Sequence, residues 1–394
     1  MVARVARLSQ GPRAALLVLV CALAVSCSGR SPPAPEPDRA PAGAWPTHGW
    51  RTAAPQDAGI DPSVLAGIDH GARLPYPDLR SVLVVRHGTL VVERYYHGAT
   101  PATHFNVFSV TKSVTSALVG IALGEHELDG LDQPAVRLLA RHLPPRPDPR
   151  IRGVTLEHLL TMTAGLPPDS MDEAPPGWVG AGDWVRSLLR QRPASEPGTR
   201  FAYSSASSHL LSAIVADATG QTTLRYAQTR LFAPLGIDSE PAFEPEFAPA
   251  NAAAYERAGF AWPTDPQGYH LGFGFLKLTA RDMAKLGYLY LKGGAWEGRQ
   301  VVPAAYVRAS TRRQVATGRA SDPGEGYGYQ WWTTTERGHP AFAAVGLGGQ
   351  LIEVVPDLDL VVVMTSAPTA GRDVRAAGDA RRLVGDVVVP AVKD

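Results

Sequence analysis

Ser109 and Lys112 stand three residues apart in the segment Phe108-Ser-Val-Thr-Lys-Ser113, and Lys112 is the sole charged residue between Phe105 and Gly124. A lysine ammonium can lose its proton when withdrawn from water, whereas a guanidinium effectively cannot. The chain otherwise prefers arginine: of its 38 basic residues only Lys112, Lys277, Lys285, Lys292 and Lys393 are lysine. A lysine kept in an apolar, hydroxyl-rich segment is therefore a candidate base. On a helix, residues three apart share a face, so the amine can reach the Ser109 hydroxyl one turn away and activate it as a nucleophile. The plain alternative is a helix start with a structural lysine, but an unpaired buried ammonium is expensive.

The flanking segments say what must position this pair. Ser81–Arg86 and Thr89–Tyr96 are β-branched, apolar runs separated by His87-Gly88, a hairpin signal. The stretch from Ser109 to Gly124 reads as a helix with apolar or small residues on every side, hence buried; its density of Ser and Thr argues against a membrane span. Leu210–Ala218 and Asp282–Leu291 read as helices. Gln350–Val355 and Leu358–Met364, joined by Pro356-Asp357, predict a second hairpin, and Arg372–Val389 a closing amphipathic helix. Strands near both ends with helices between them predict an α+β fold: one antiparallel sheet formed by both termini, flanked by helices, with an inserted, mostly helical subdomain.

At 394 residues, 45% hydrophobic and 19% charged, the chain can bury a large core. A formal net charge of +1 without a basic tract sets nucleic acid aside. Arg4, Arg7 and Arg13 precede an apolar run, Ala14–Val25, too short to span a bilayer comfortably. Residues 1–27 therefore read as an export signal. Ala24-Val-Ser-Cys27 resembles a bacterial lipobox with Cys27 as the acylated residue, ordinary cleavage nearby being the alternative. The expectation is an exported protein, tied to the membrane only through that lipid or else secreted. Cys21 and Cys27 are the only cysteines, so the mature domain, 47–394, would have neither a disulfide nor a thiol nucleophile. Residues 28–46, rich in Pro and Ala, suit an extended tether. The folded part is expected to start near Trp45.

Ser109-Val-Thr-Lys112 resembles the Ser-x-x-Lys motif of serine β-lactamases and penicillin-binding proteins. Further segments are similar, in order and spacing, to the class C β-lactamase-related branch: Leu156-Glu-His-Leu-Leu-Thr-Met-Thr-Ala-Gly-Leu166, Pro197-Gly-Thr-Arg-Phe-Ala-Tyr-Ser-Ser205, Leu231-Phe-Ala-Pro-Leu-Gly-Ile237, Gly294-Ala-Trp-Glu-Gly298, Tyr327-Gly-Tyr-Gln-Trp-Trp332 and Gly346-Leu-Gly-Gly-Gln350. The resemblance covers roughly residues 50–390. The last two segments are closest to the branch holding 6-aminohexanoate-dimer hydrolase and related carboxylesterases.

That resemblance implies a metal- and cofactor-free serine hydrolase. It makes Ser109 the nucleophile that forms an acyl-enzyme, Lys112 the buried amine that helps deprotonate it, and Tyr203 the general base and later acid, its phenol tuned by the neighbouring positive charge. Where the family has Tyr-x-Asn, this chain has Tyr203-Ala-Ser205. Where β-lactamases carry Lys-Thr-Gly, Gly346-Leu-Gly348 has no lysine. The oxyanion hole would combine the Ser109 N–H with an N–H near Gly349, the glycines, Gly348 included, letting the backbone approach a substrate. Gln350 and Trp331 could line the acyl pocket.

Blander readings stand beside these. Tyr203 could be a core aromatic, Ser205 a helix cap, and Tyr327–Trp332 packing alone. His158 and His209 read as helix residues with satisfied nitrogens, and Asp129 and Asp132 as turn residues. No Gly-x-Ser-x-Gly or His-Glu-x-x-His occurs. Three functions follow: hydrolysis of an ester, amide or peptide through acyl-Ser109; β-lactamase or D,D-peptidase action, disfavoured by the missing lysine; or a non-catalytic penicillin-binding-like sensor module.

Overall fold

A computed structural model of the protein describes residues 45–73, 76, 78–168, 177–241, 244–318, 324–367 and 381–393. The expected signal segment with Cys27, the tether up to residue 44 and the first part of the expected closing helix, 372–380, lie outside them. Among the described residues no helix is long and apolar enough to cross a membrane.

Twelve strands are described: β1 (Leu79–Arg86), β2 (Thr89–Tyr95), β3 (His104–Asn106), β4 (Lys277–Thr279), β5 (Ala295–Trp296), β6 (Arg299–Gln300), β7 (Val315–Ala316), β8 (Gly326–Tyr327), β9 (Trp332–Glu336), β10 (His339–Gly346), β11 (Gln350–Val355) and β12 (Leu360–Ser366). Eight form one antiparallel sheet in the order β2-β1-β12-β11-β10-β9-β8-β7. The last long strand, β12, lies between β1 and β11, so the two ends of the domain close one sheet, the α+β arrangement expected. His87 (φ 52°) and Gly88 (φ 71°) make the tight turn of the first hairpin, the paired left-handed conformation that matches strand twist. The second hairpin differs from its expected form. Leu358 lies in a one-turn helix, Pro356–Leu358, and Asp359 at φ 45° completes the reversal, so β12 starts at Leu360.

Period-two alternation divides the central strands between two cores. Leu83 and Val85, Ile352 and Val354, and Val361 and Val363 enter the larger cluster; Val82 and Val84, Leu351 and Val355, and Leu360, Val362 and Met364 enter the smaller one. On the larger side the helix Ala280–Leu291 lies so close that a Cβ on Gly287 would stand 2.5 Å from a Val361 methyl. On the other side pack the helix Ser63–Arg73 and the terminal turns around Leu383, Val384 and Val388. Trp45, the first described residue, packs against Tyr288 and Trp296 (centroids 5.5 and 5.1 Å).

The helix Val110–Gly124 runs through the larger core with every residue from Val110 to Ala122 buried, as its all-round apolar pattern requires. Gly120 is pressed against the Tyr306 ring, where a Cβ would approach to 2.4 Å. The helix Ser205–Thr219 packs beside it.

Candidate active site

Ser109 is the N-cap of the buried helix and Lys112 lies in its first turn. The Lys112 Nζ is 3.0 Å from Ser109 Oγ, 3.3 Å from Ser205 Oγ and 3.0 Å from the Phe273 carbonyl. It also stands 4.9 Å from the centre of the Tyr203 ring. Three segments far apart in sequence, 109–112, 203–205 and 273, thus meet at one amine. Lys112 is 2% exposed, whereas Ser109 and Tyr203 are half-buried. The buried ammonium costs little here because its N–H groups find acceptors.

Each member is held by its own element. Phe108, just before the serine, has φ 45°. Asn106 Oδ1 accepts from its N–H at 2.9 Å, and its carbonyl accepts from the Thr111 hydroxyl at 2.6 Å. A bulky residue in this region costs on the order of 1–3 kcal/mol and persists where the surroundings over-determine it. Tyr203 stacks on Trp332 (5.5 Å, 21°) and meets Tyr327 edge-on. Ser204, one residue on, is the N-cap of the helix Ser205–Thr219, but its hydroxyl has no partner. Ser205 turns instead to the lysine rather than capping the helix. Phe273 is delivered by Gly272, whose missing side chain lets the backbone meet the Ser208 carbonyl, where a Cβ would stand 2.2 Å away.

The end of β10 closes the site from the sheet side. A Cβ on Gly346 would lie 2.5 Å from the Val107 carbonyl and 3.2 Å from the Ser109 nitrogen, so only glycine fits. The Gly349 N–H donates to the Gly346 carbonyl at 3.3 Å, closing the turn to β11. The residue at the serine is therefore Gly346, and the expected oxyanion donor near Gly349 is engaged elsewhere. Gly348 (φ 75°) and Gly349 (φ 95°) supply the left-handed turn.

Two residues expected at the pocket wall lie in the core. Gln350 is fully buried on β11, its Nε2 donating to the Ser366 carbonyl at 2.7 Å and its Oε1 accepting from the Ser366 N–H, so its amide extends the β11–β12 pairing. Trp331 is 1% exposed and packs on Tyr290 and Phe342 at 4.5 and 5.3 Å. Its neighbour Gln330 is the one that braces the site. It sits at φ 62°, its Nε2 donates to the Leu159 and Leu160 carbonyls, its Oε1 accepts from Ser208, and its carbonyl accepts from Ser113.

Other residues match their plainer readings. His158 completes a capping box with Thr155, and Asp129 bonds Gln133 in a turn. His209 departs from its plainer reading of satisfied nitrogens: it is a fully buried helix residue with Nε2 3.0 Å from Asp265 and its ring stacked on Trp178, but its Nδ1 has no partner. Sequence reasoning missed the roles of Phe108 and the Phe273 carbonyl, and named Gly346 and Trp332 only as members of motifs, without their contacts to Ser109 and Tyr203. The Gly272-Phe-Gly-Phe275 run was a usable signal, since glycines between aromatics mark close backbone approach.

Residues 80–386 match the β-lactamase family model. The chain is 26% identical over 307 residues to the 6-aminohexanoate-dimer hydrolase of Paenarthrobacter ureafaciens, covering 72% of this chain and 71% of that protein. It is 30% identical over 187 residues to a β-lactamase of Escherichia coli K12, covering 47% of each. Among solved structures, a class C β-lactamase from Rhodobacter sphaeroides has the same fold, with a TM-score of 0.57 and 22% identity over 82% of this chain and 99% of that one.

Proposed function

This chain belongs to the β-lactamase family of serine hydrolases, and from that premise we propose that it cleaves an ester or amide bond through an acyl-Ser109 intermediate. The observation that carries the proposal is the Lys112 amine, hidden from water yet 3.0 Å from a half-exposed serine hydroxyl. A hydroxyl can donate or accept a hydrogen bond, so Ser109 can pass its proton to the amine as its oxygen bonds to the carbonyl carbon. The tetrahedral oxyanion would be received by the Ser109 N–H at its helix end and, since Gly346 adjoins Ser109, by the N–H of Leu347, the first residue after β10. Collapse breaks the bond to the leaving group, which takes a proton by way of Tyr203 beside Lys112. Water then adds to the acyl-enzyme by the reverse proton path, releasing acid and free Ser109.

Esters and linear amides are favoured over β-lactams. The strand beside the serine reads Ala344-Val345-Gly346, with no lysine to receive a β-lactam carboxylate. Ser109→Ala is expected to abolish turnover of p-nitrophenyl esters while circular dichroism and thermal midpoint stay as in the wild type. Full activity in that variant would refute the nucleophile, and nitrocefin turnover matching that of esters would promote the β-lactamase reading.

A further inference from the structure

Phe108 is not the only strained aromatic at the nucleophile. Phe275, two residues beyond the carbonyl that holds Lys112, has φ 67°. The two rings are half-buried and their centroids lie 6.2 Å apart. Phe275 is fixed as firmly as Phe108: the Tyr255 hydroxyl donates to its carbonyl at 3.0 Å, and its ring lies 4.7 Å from Phe247 and 6.3 Å from Phe273. Phe275 also packs against the larger core, but packing alone does not require a left-handed backbone. These two keep the unfavourable backbone and leave part of each ring open beside the reactive serine. Strain retained at such a place marks a ligand clamp.

Charge at this wall is already committed. Lys277, on the strand between Phe275 and the helix Ala280–Leu291, donates to the carbonyls of Tyr255 and Glu256. Arg281 is paired with Glu93 through both oxygens. Among the described residues, the wall therefore offers apolar ring faces and commits Lys277 and Arg281 elsewhere, away from an anionic group.

The two ring groups divide the site. Tyr203 belongs with Trp332, Tyr327 and Phe201, and Lys112 Nζ stands between that group and Phe273, 4.9 and 5.9 Å from the ring centres. A leaving group protonated by way of Tyr203 belongs on its side, and the acyl group on the phenylalanine side. We infer that Phe108, Phe275 and Phe247 form the wall of an acyl pocket selecting uncharged substrates whose acyl group ends in an aromatic ring. This rests on the acyl-Ser109 reading.

The test compares p-nitrophenyl phenylacetate with p-nitrophenyl acetate, which share a leaving group, on full-length protein, each rate normalised to alkaline hydrolysis. Wild type is expected to favour phenylacetate in kcat/KM by about tenfold or more. Phe275→Gly, which removes the ring and frees the backbone, should bring that ratio near one while the variant stays folded by circular dichroism; Phe275→Leu, which keeps apolar bulk, should lower the ratio part of the way. A wild-type ratio near one, or a ratio that survives both variants, overturns the inference. If Ser109→Ala abolishes both reactions while wild type shows no preference, only the pocket falls; if Ser109→Ala stays active, the hydrolase reading falls with it.

Discussion

Lys112 and Lys277 are both interior, at 2% and 5% exposure, and both stand on elements that frame the nucleophile. Their partners differ in kind. The Lys277 Nζ lies among three main-chain carbonyls, those of Tyr255, Glu256 and Ala258, at the end of the helix Ala252–Arg257. Carbonyls only accept, so that nest needs three N–H groups, which is the ammonium. Burial pushes Lys277 below the ordinary lysine range while the Glu256 carboxylate works against it. The Lys112 contacts include one carbonyl and two hydroxyls. Hydroxyls can reverse their role, so the same surroundings accommodate the ammonium or an amine whose lone pair takes the Ser109 proton. Burial of a lysine does not make it catalytic; a partner able to surrender a proton does.

The largest expected effect separates the two. Lys112→Met should lower kcat for ester hydrolysis by about a thousandfold, within the range of lost acid–base catalysis. Lys277→Met should leave kcat within a few-fold and instead cost about 1–3 kcal/mol of stability in denaturant unfolding, because helix-end carbonyls lose their donor. Equal loss of activity in both would erase the distinction drawn between them.

A smaller effect sharpens the same contrast on the opposite face of the sheet. Glu353 is fully buried, its two oxygens lack hydrogen-bond partners, and the Arg381 Nε is 3.6 Å away while another Arg381 nitrogen pairs with Glu336. Burial first, then the Glu336 charge, pushes the Glu353 carboxyl up to about 8 against the pull of Arg381. An unfolded glutamate ionises near about 4.3. Between those values the unfolded chain sheds a proton the folded one keeps, so stability is full below that range and is lost as pH rises to about 8. The loss is at most about 1.4 kcal/mol per pH unit. The thermal midpoint is expected to fall from pH 5 to 8 in wild type and to flatten in Glu353→Gln; an unchanged slope in the variant would assign the dependence to other groups. Here a buried carboxyl without a hydrogen-bond partner loads stability as it ionises, whereas at Lys112 partners are supplied and chemistry results.

The site was legible in sequence where it is local. Ser109 and Lys112 share one helical turn, so their spacing sufficed, and apolar, β-branched runs located β1, β2, β11 and most of β12. What escaped depends on chain segments meeting across long separations. The Phe273 carbonyl lies 161 residues from Lys112, and nothing in its own neighbourhood announces that contact. Gly346 and Gly349 look alike in sequence, and only the register of β10 against the serine tells them apart. Gln350 and Trp331 were misplaced because a polar or aromatic residue beside a motif looks like a pocket residue until burial is known. Phe108 and Phe275 show the converse: left-handed phenylalanines violate local preference, so no propensity argument could anticipate them.

The central claim is that Ser109 is the activated hydroxyl. Reacting full-length, folded protein with a fluorophosphonate and mapping the adduct by peptide mass spectrometry tests it most directly. One phosphonyl group on Ser109 is predicted, with labelling much slower in Lys112→Met and unaltered in Lys277→Met. An adduct on Ser205 or another residue, or folded protein that takes up no label, would contradict the account.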